Sequence, residues 1–528
     1  MTADTIGRQV EVAAREFGPL EALVCTDEAD CERRLTFAQL RDEVLGAAAA
    51  FLAHGLQRGD RVAIWAPNIG EWVIAALGAS SAGGVLVPLN TRFKGREAAD
   101  IIERSGASML LCVNGFLGND YIEMLRDAGC DSSVLRTIVV LRGDVPDGTI
   151  HWSEFLAHGV GATAIDEART RIGEGSADDL SDIIYTSGTT GRPKGVMCSH
   201  GQTMRVFDVW SGVIGLTSGD RYLVVNPFFH TFGYKAGFLS CIIRGATIVP
   251  ELVFDVRAVL RRVAAERITV LPGPPTIYLS ILDVADRTVY DLSSLRLAVT
   301  GAAVVPVEMI RRMREELTFR VIVTAYGLTE TTGVVSICDP DDSPEIIATT
   351  SGRAIPDTEV RIIDDDGNEV PRGATGEIVC RGYHVMRGYH HDPEATVAAI
   401  DAAGWLHTGD IGTMDAHGYL AITDRKKDMF IVGGFNAYPA EIENVLLEHP
   451  AVANVAVVGI PDTRQGEVGH AFVVAKAGST IEADEMIAWC RERMANFKVP
   501  RAVHVVGSLP TTASGKVRKV ELRASATT

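Results

Sequence analysis

Short β-branched runs recur between longer amphipathic stretches, and this alternation restricts the fold more than any single motif does. Residues 61–65, 85–89, 137–141, 222–226 and 297–300 read as strands. Helical signals lie between them. Thr36 and Gln39 have the spacing of a capping box, and the Ala-rich residues 40–53 continue the helix. Such a chain is expected to be α/β, with largely parallel sheets covered on both faces. From 359 to 380 the pattern changes to short strands broken by Asp366-Gly367 and Pro371-Arg372-Gly373, which predicts a small antiparallel or barrel segment. A sharper break comes at Asp424-Arg425-Lys426-Lys427, and the residues after it carry their own helices and strands. The division read from this is a large N-terminal domain, 1–423, a hinge at 424–427 and a small α+β domain, 428–528.

Charge narrows the function. Lys and Arg total 50 against 68 Asp and Glu, a net charge of −18, so the chain is a poor general binder of nucleic acid or of anionic membranes. Any positive groups that meet an anionic substrate must be local. The first residues carry Asp4, Glu11 and Glu16 with no apolar run, so no secretory signal is expected. The longest charge-free stretch, 72–89, holds Ser80, Ser81, Gly83, Gly84 and Pro88 and reads as helix, turn and buried strand, not as a membrane span. Nine scattered cysteines without a Cys-x-x-Cys pair point to reduced thiols in a cytoplasmic protein, with no structural zinc.

The local sequence richest in chemistry is Tyr185-Thr-Ser-Gly-Thr-Thr-Gly-Arg-Pro-Lys-Gly195. Its hydroxyls, glycines and Lys194 suit a polyphosphate: glycine lets backbone N–H groups approach the oxygens, hydroxyls donate and the lysine supplies charge. A P-loop would need Gly before the lysine and Ser or Thr after it. Here Pro193 precedes Lys194 and Gly195 follows, so that reading fails.

This segment resembles the phosphate loop of the adenylate-forming superfamily, which includes acyl-CoA ligases, peptide-synthetase adenylation domains and luciferases. Further segments match that family in order. Asn226-Pro-Phe-Phe-His-Thr-Phe-Gly-Tyr234 is similar to its aromatic pocket motif, and Gly301-Ala302-Ala303 to its adenine-flanking loop. Tyr326-Gly-Leu-Thr-Glu330 is similar to the nucleotide and magnesium motif, and Thr408-Gly-Asp410 to the ribose motif. Thr512-Ala-Ser-Gly-Lys516 is similar to the C-terminal lysine motif.

The resemblance implies a two-step reaction. A carboxylate attacks the α-phosphate of ATP, pyrophosphate leaves, and the thiol of coenzyme A then displaces AMP. It assigns the β- and γ-phosphates to Thr186, Ser187, Gly188, Thr189, Thr190, Gly191 and Lys194. Thr329 would meet the α-phosphate and Glu330 a Mg²⁺ ion. Tyr326 and Gly327 would meet adenine, and Asp410 with Arg425 the ribose. Lys516 would enter the site for the first step, with Lys427 as the hinge of a mobile C-terminal domain. Gly433 and Gly434 would then line the pantetheine path. Taken singly, Tyr326 reads as a core aromatic, Glu330 as a helix-start charge, Asp410 as a turn residue and Lys516 as a surface cation. Only their joint order favours the functional roles.

His230, between aromatics, reads either as a core histidine or as a group that gates the acyl pocket. Phe229, Phe232, Gly233 and Tyr234 are expected to form a roomy apolar wall. Residues 228–234 contain no acid to pair an amino acid's ammonium, and only nine residues follow Lys519, so a diffusible acceptor is expected instead of a carrier domain. Segments 226–239, 272–278 and 325–330 are most similar to the CoA ligases of bacterial steroid catabolism, which implies a bicyclic ring-C/D propanoate as substrate. The alternative acid is a medium-chain fatty acid. A luciferase-like oxidase and a non-catalytic nucleotide-binding protein are the alternatives of other classes. The expected partners are small molecules, with a homodimer left open.

Overall fold

The computed structural model describes residues 2–526 apart from 131–132, 187–191, 302–304, 306, 365, 426–428, 511–516 and 518, and describes only the backbone at 423–425, 440, 444 and 520. The alternation yields the expected α/β architecture. Leu180–Thr186, Val85–Pro88, Arg61–Trp65, Ala107–Val113, Thr137–Arg142 and Ile150–His151 run parallel in one sheet. Lys194–Ser199 and Gly388–Tyr389 extend that sheet antiparallel at one edge. A second sheet is made of two four-stranded parts joined through bridges at Val270.

Helices Ile6–Phe17, Phe37–Ala53 and Gly70–Ser81 pack into the main core, which draws residues from both sheets. Gly70–Ser81 is buried along its whole length, so a helix apolar on every side has no solvent face to satisfy. Thr36 and Gln39 form the expected capping box, and 72–89 is the expected helix, turn and strand. No helix among the described residues is long and apolar enough to cross a membrane. None of the nine cysteines is paired in a disulfide.

The segment expected as antiparallel or barrel is an antiparallel sheet of four strands, Thr358–Ile363, Gly376–Gly382, Leu406–Met414 and Leu420–Arg425, with no bond closing it into a barrel among the described residues. Beyond it a separate five-stranded sheet gathers Phe430–Val432, Phe435–Ala437, Val452–Asp462, Gly466–Ala475 and Ala502–Val505. It buries apolar clusters of its own, against helices Pro439–Leu447 and Ala483–Arg491 and against Lys519–Ala526.

Candidate functional site

The glycine- and hydroxyl-rich segment joins two antiparallel strands, Leu180–Thr186 and Lys194–Ser199, with Thr186 opposite Lys194. A P-loop runs from strand into helix; this one turns back as a hairpin, which agrees with the failed motif match. Ser187, Gly188, Thr189, Thr190 and Gly191 lie outside the described residues, as do Ala302 and Ala303. Beside the hairpin a cavity of about 310 Å³ is lined by Arg104, Arg192, Lys194, His390, His391 and Asp392. Arg104 donates to the Pro193 carbonyl at 2.7 Å, and Asp100 accepts from Arg104 and from Arg192 at 3.1 and 2.8 Å, which fixes one end of the loop. Burial, with His391, Arg61 and Arg104 nearby, pushes His390 down to about 4.

A chain of contacts leads from the hairpin into the nucleotide motif. Lys194 Nζ stands 5.0 Å from the centre of the Tyr389 ring. The Tyr389 hydroxyl donates to Glu330 Oε1 at 2.9 Å, and the Met386 N–H donates to the Glu330 carbonyl. Burial and the adjacent Glu330 carboxylate raise the Tyr389 pKa well above the tyrosine range. Thr329 and Glu330 occupy a short 3₁₀ turn, Thr329–Thr331. Gly327 is packed so closely that a Cβ there would lie 2.0 Å from the Gly333 carbonyl. Gly301 ends a strand beside Ala325 with a φ of +152°, a conformation that favours glycine.

Tyr326 does more than offer a flat ring. It is 8% exposed, and its hydroxyl donates to Asp410 Oδ2 at 2.6 Å. Burial and that carboxylate raise its pKa. Asp410 lies on Leu406–Met414, paired in register with Arg425 on the next strand; the Arg425 side chain, Lys427 and Lys516 are outside the described residues.

The pocket motif is held from below by Asn68. Its Nδ2 donates to the carbonyls of Val224 and Asn226 at 3.0 and 2.9 Å, and its Oδ1 accepts from the Phe228 N–H at 2.8 Å. His230 is exposed and yet lies deep in the protein mass, as a side chain lining a cleft does, and this depth lowers its pKa. Its Nδ1 accepts the Phe232 N–H at 3.2 Å. A neutral imidazole bonded that way carries its proton on Nε2, so the free edge is a donor, not a base.

Phe229 and Phe232 are half-buried. Two expectations for this wall need correction. Tyr234 is 1% exposed and packs on Trp72 and Phe238, so it backs the wall and does not face its surface. Gly233 does not provide room for a ligand: a Cβ there would lie 2.1 Å from the Pro227 carbonyl and 2.4 Å from that of Asn226. The glycine serves a tight backbone crossing. Lys235, two residues after Gly233, is wholly buried with Nζ 2.9 Å from Asp182 Oδ1, which ties the pocket segment to the strand that feeds the hairpin.

In the C-terminal unit, Gly433 and Gly434 form the tip of the hairpin between Phe430–Val432 and Phe435–Ala437, with φ of +56° and +87°. A Cβ on Gly434 would meet Pro274 Cγ of the large domain at 3.8 Å, so the tip faces the N-terminus of helix Pro275–Leu282. Tyr389, Asn68 and Lys235 escaped the sequence reading. The signal for Asn68 was present, an Asn after Pro67 just beyond a buried strand, whereas the other two depend on contacts distant in sequence.

Residues 10–390 match the family model of AMP-binding enzymes, and 441–516 match the AMP-binding enzyme C-terminal domain. The chain belongs to the AMP-binding enzyme family. It is 52% identical over 515 residues to the 3-[(3aS,4S,7aS)-7a-methyl-1,5-dioxo-octahydro-1H-inden-4-yl]propanoyl:CoA ligase of Rhodococcus jostii, covering 97% of this chain and 96% of that one. It is 50% identical to the Mycobacterium tuberculosis ligase of the same name, covering 98% of each. Among solved structures, the o-succinylbenzoate CoA synthetase of Bacillus subtilis bound to the product analogue OSB-NCoA superposes with a TM-score of 0.81 at 28% identity, covering 98% of each chain. ATP-bound MatB of Rhodopseudomonas palustris, also 28% identical and covering 99% of each chain, gives 0.66.

Proposed function

We propose that this AMP-binding enzyme is an ATP-dependent acyl-CoA ligase whose acid is the hydroindanedione propanoate, a steroid-derived bicycle. The observation that carries the choice of acid is the 52% and 50% identity, over nearly the whole chain, to two ligases named for that acid. The half-buried Phe229 and Phe232 beside His230 suit an apolar ring system.

The site supports a division of labour. The hairpin from Thr186 to Lys194 would take the β- and γ-phosphates, and Thr329 the α-phosphate. Asp410, oriented by Tyr326, would accept the ribose hydroxyls, with Arg425 beside it. Glu330, oriented by Tyr389, would be the carboxylate that holds a Mg²⁺ ion, a hard cation that takes oxygen ligands. When bound, that ion would neutralise phosphate charge as pyrophosphate leaves. His230, neutral with its donor edge outward, would orient or gate the acyl group and not act as a base.

The two steps would use two orientations of the C-terminal domain about the hinge at 424–427. Lys516 would face the α-phosphate in one, and Gly433 and Gly434 would line the thiol path in the other. The second is supported here by the placement of Gly434 against Pro274. A cytoplasmic location fits cysteines that form no disulfide and the use of ATP and CoA.

The test is a product assay with and without CoA. AMP and pyrophosphate are expected, and ADP with phosphate would overturn the assignment. Comparing kcat/KM for the bicyclic propanoate with octanoate and decanoate decides the acid; a preference for the straight chains would promote the medium-chain reading.

A further inference from the structure

Among the described residues, the seam between the two domains contains one buried cation. Lys498 of the C-terminal domain is 2% exposed, and its Nζ donates to Glu97 Oε1 at 2.7 Å and to Glu441. Glu441 belongs to helix Pro439–Leu447 of the same domain, whereas Glu97 belongs to helix Gly95–Ser105 of the large domain. The same ammonium stands 4.9 Å from the Phe93 ring centre across the seam and 5.6 Å from that of Phe497 on its own side. Glu97 is itself fixed, because its Oε2 accepts the Lys94 N–H at 2.9 Å and caps its helix. Burial works against a charged lysine, but the two carboxylates outweigh it and raise the pKa, so the ammonium stays protonated.

The other contacts across the seam are of a different kind. Arg96 and Glu448 pair at 2.8 Å on an exposed rim, where such pairs contribute little. The Arg92 guanidinium lies 4.9 Å from the Phe435 ring centre. Only Lys498 is both buried and shared between carboxylates of the two domains among the described ion pairs. Turning the C-terminal domain away would carry Lys498 and Glu441 along together and leave Glu97 and Phe93 behind.

We propose that Lys498, clamped between Glu97 and Glu441, is a positioning residue that holds the C-terminal domain in the thiol-transfer orientation. The inference rests on the two-step reading above. Without the ammonium, Glu97 is left at a closed seam without that cation, and separating the domains returns it to water. Loss of Lys498 therefore opposes this orientation and spares the one used for adenylate formation.

Two half-reactions are measured separately: acid-dependent exchange of pyrophosphate into ATP, and thioester formation from supplied acyl-adenylate and CoA. Lys498→Met is expected to leave exchange within about twofold and to slow transfer about tenfold or more. Glu97→Gln, which keeps an acceptor for the helix cap, is expected to slow transfer about threefold. The double variant should transfer faster than Lys498→Met alone, because it removes the stranded carboxylate; a merely structural lysine would give additive losses. Equal losses in both half-reactions, or a double variant worse than Lys498→Met, would overturn the proposal. If Lys498→Met does not fold, Glu97→Gln carries the test, and a transfer rate equal to that of the unmodified protein overturns it. Absence of exchange in the unmodified protein would instead overturn the two-step reading, and the clamp with it.

Discussion

Replacing Tyr326 with Phe keeps the flat ring and removes only the hydroxyl that holds Asp410, so it separates two roles. If the ring alone matters, the change is silent. The bond is short, 2.6 Å, and comes from a donor that is 8% exposed to an ionised acceptor. A hydrogen bond to a charged group contributes about 1.5–3 kcal/mol. At about 1.4 kcal/mol per factor of ten, that range corresponds to about 10- to 150-fold. Asp410 is half-buried, so water can replace part of the lost donor, and the lower end applies. The KM for ATP in pyrophosphate exchange is expected to rise about tenfold, with a smaller change in kcat. If Asp410 reads the ribose as proposed, preference for ATP over 2′-deoxy-ATP should shrink in parallel. A KM within twofold of the unmodified enzyme, with the deoxy preference intact, would refute the positioning role.

Tyr389→Phe should lower exchange about tenfold at limiting Mg²⁺ and be rescued by excess Mg²⁺, since it frees Glu330 without removing its charge; equal loss at all Mg²⁺ concentrations would show that Tyr389 does not act through Glu330. Lys235→Met strands a buried Asp182 and should cost about 3–5 kcal/mol in urea unfolding, most of it regained when Asp182→Leu is added. Burial holds both His200 and His384 at about 4, below the 6.5 of a free histidine. As pH falls through 6.5 the unfolded chain takes up protons that the folded one refuses. Stability should therefore drop between pH 6.5 and 4, with His390 adding to the slope, and His384→Leu should lower that slope by about one proton.

Much of the site was readable because its parts are local. The hairpin from Thr186 to Lys194, the aromatic segment 226–234 and the turn Thr329–Thr331 each occupy one short segment whose residue types point to the chemistry proposed. Their order then identified the family, although no spacing could reveal which side chains meet. Tyr389 reaches Glu330 across 59 residues, Tyr326 reaches Asp410 across 84, and Lys498 reaches Glu97 across 401. Gly233 shows the opposite failure. A glycine beside aromatics suggests space for a ligand, but here it marks two backbone segments in contact, and only coordinates distinguish those cases. The antiparallel sheet from 358 to 425 was legible as strands and turns, but whether it closes depends on tertiary pairing.

The cysteines, none of them in a disulfide, bear on a hazard that any maker of mixed anhydrides meets, acylation of its own thiols. Thiolate is the reacting form, and burial denies it to most of these residues: Cys25 and Cys198 are pushed up to about 11, and Cys112, Cys380 and Cys490 to about 12. Cys198 lies on the very strand that follows the phosphate hairpin, yet it is 0% exposed. An activated acyl group leaving the site would thus find few competent sulfurs on the protein to trap it. Cys31, exposed on a loop, is the natural place to look for a stray adduct by mass spectrometry.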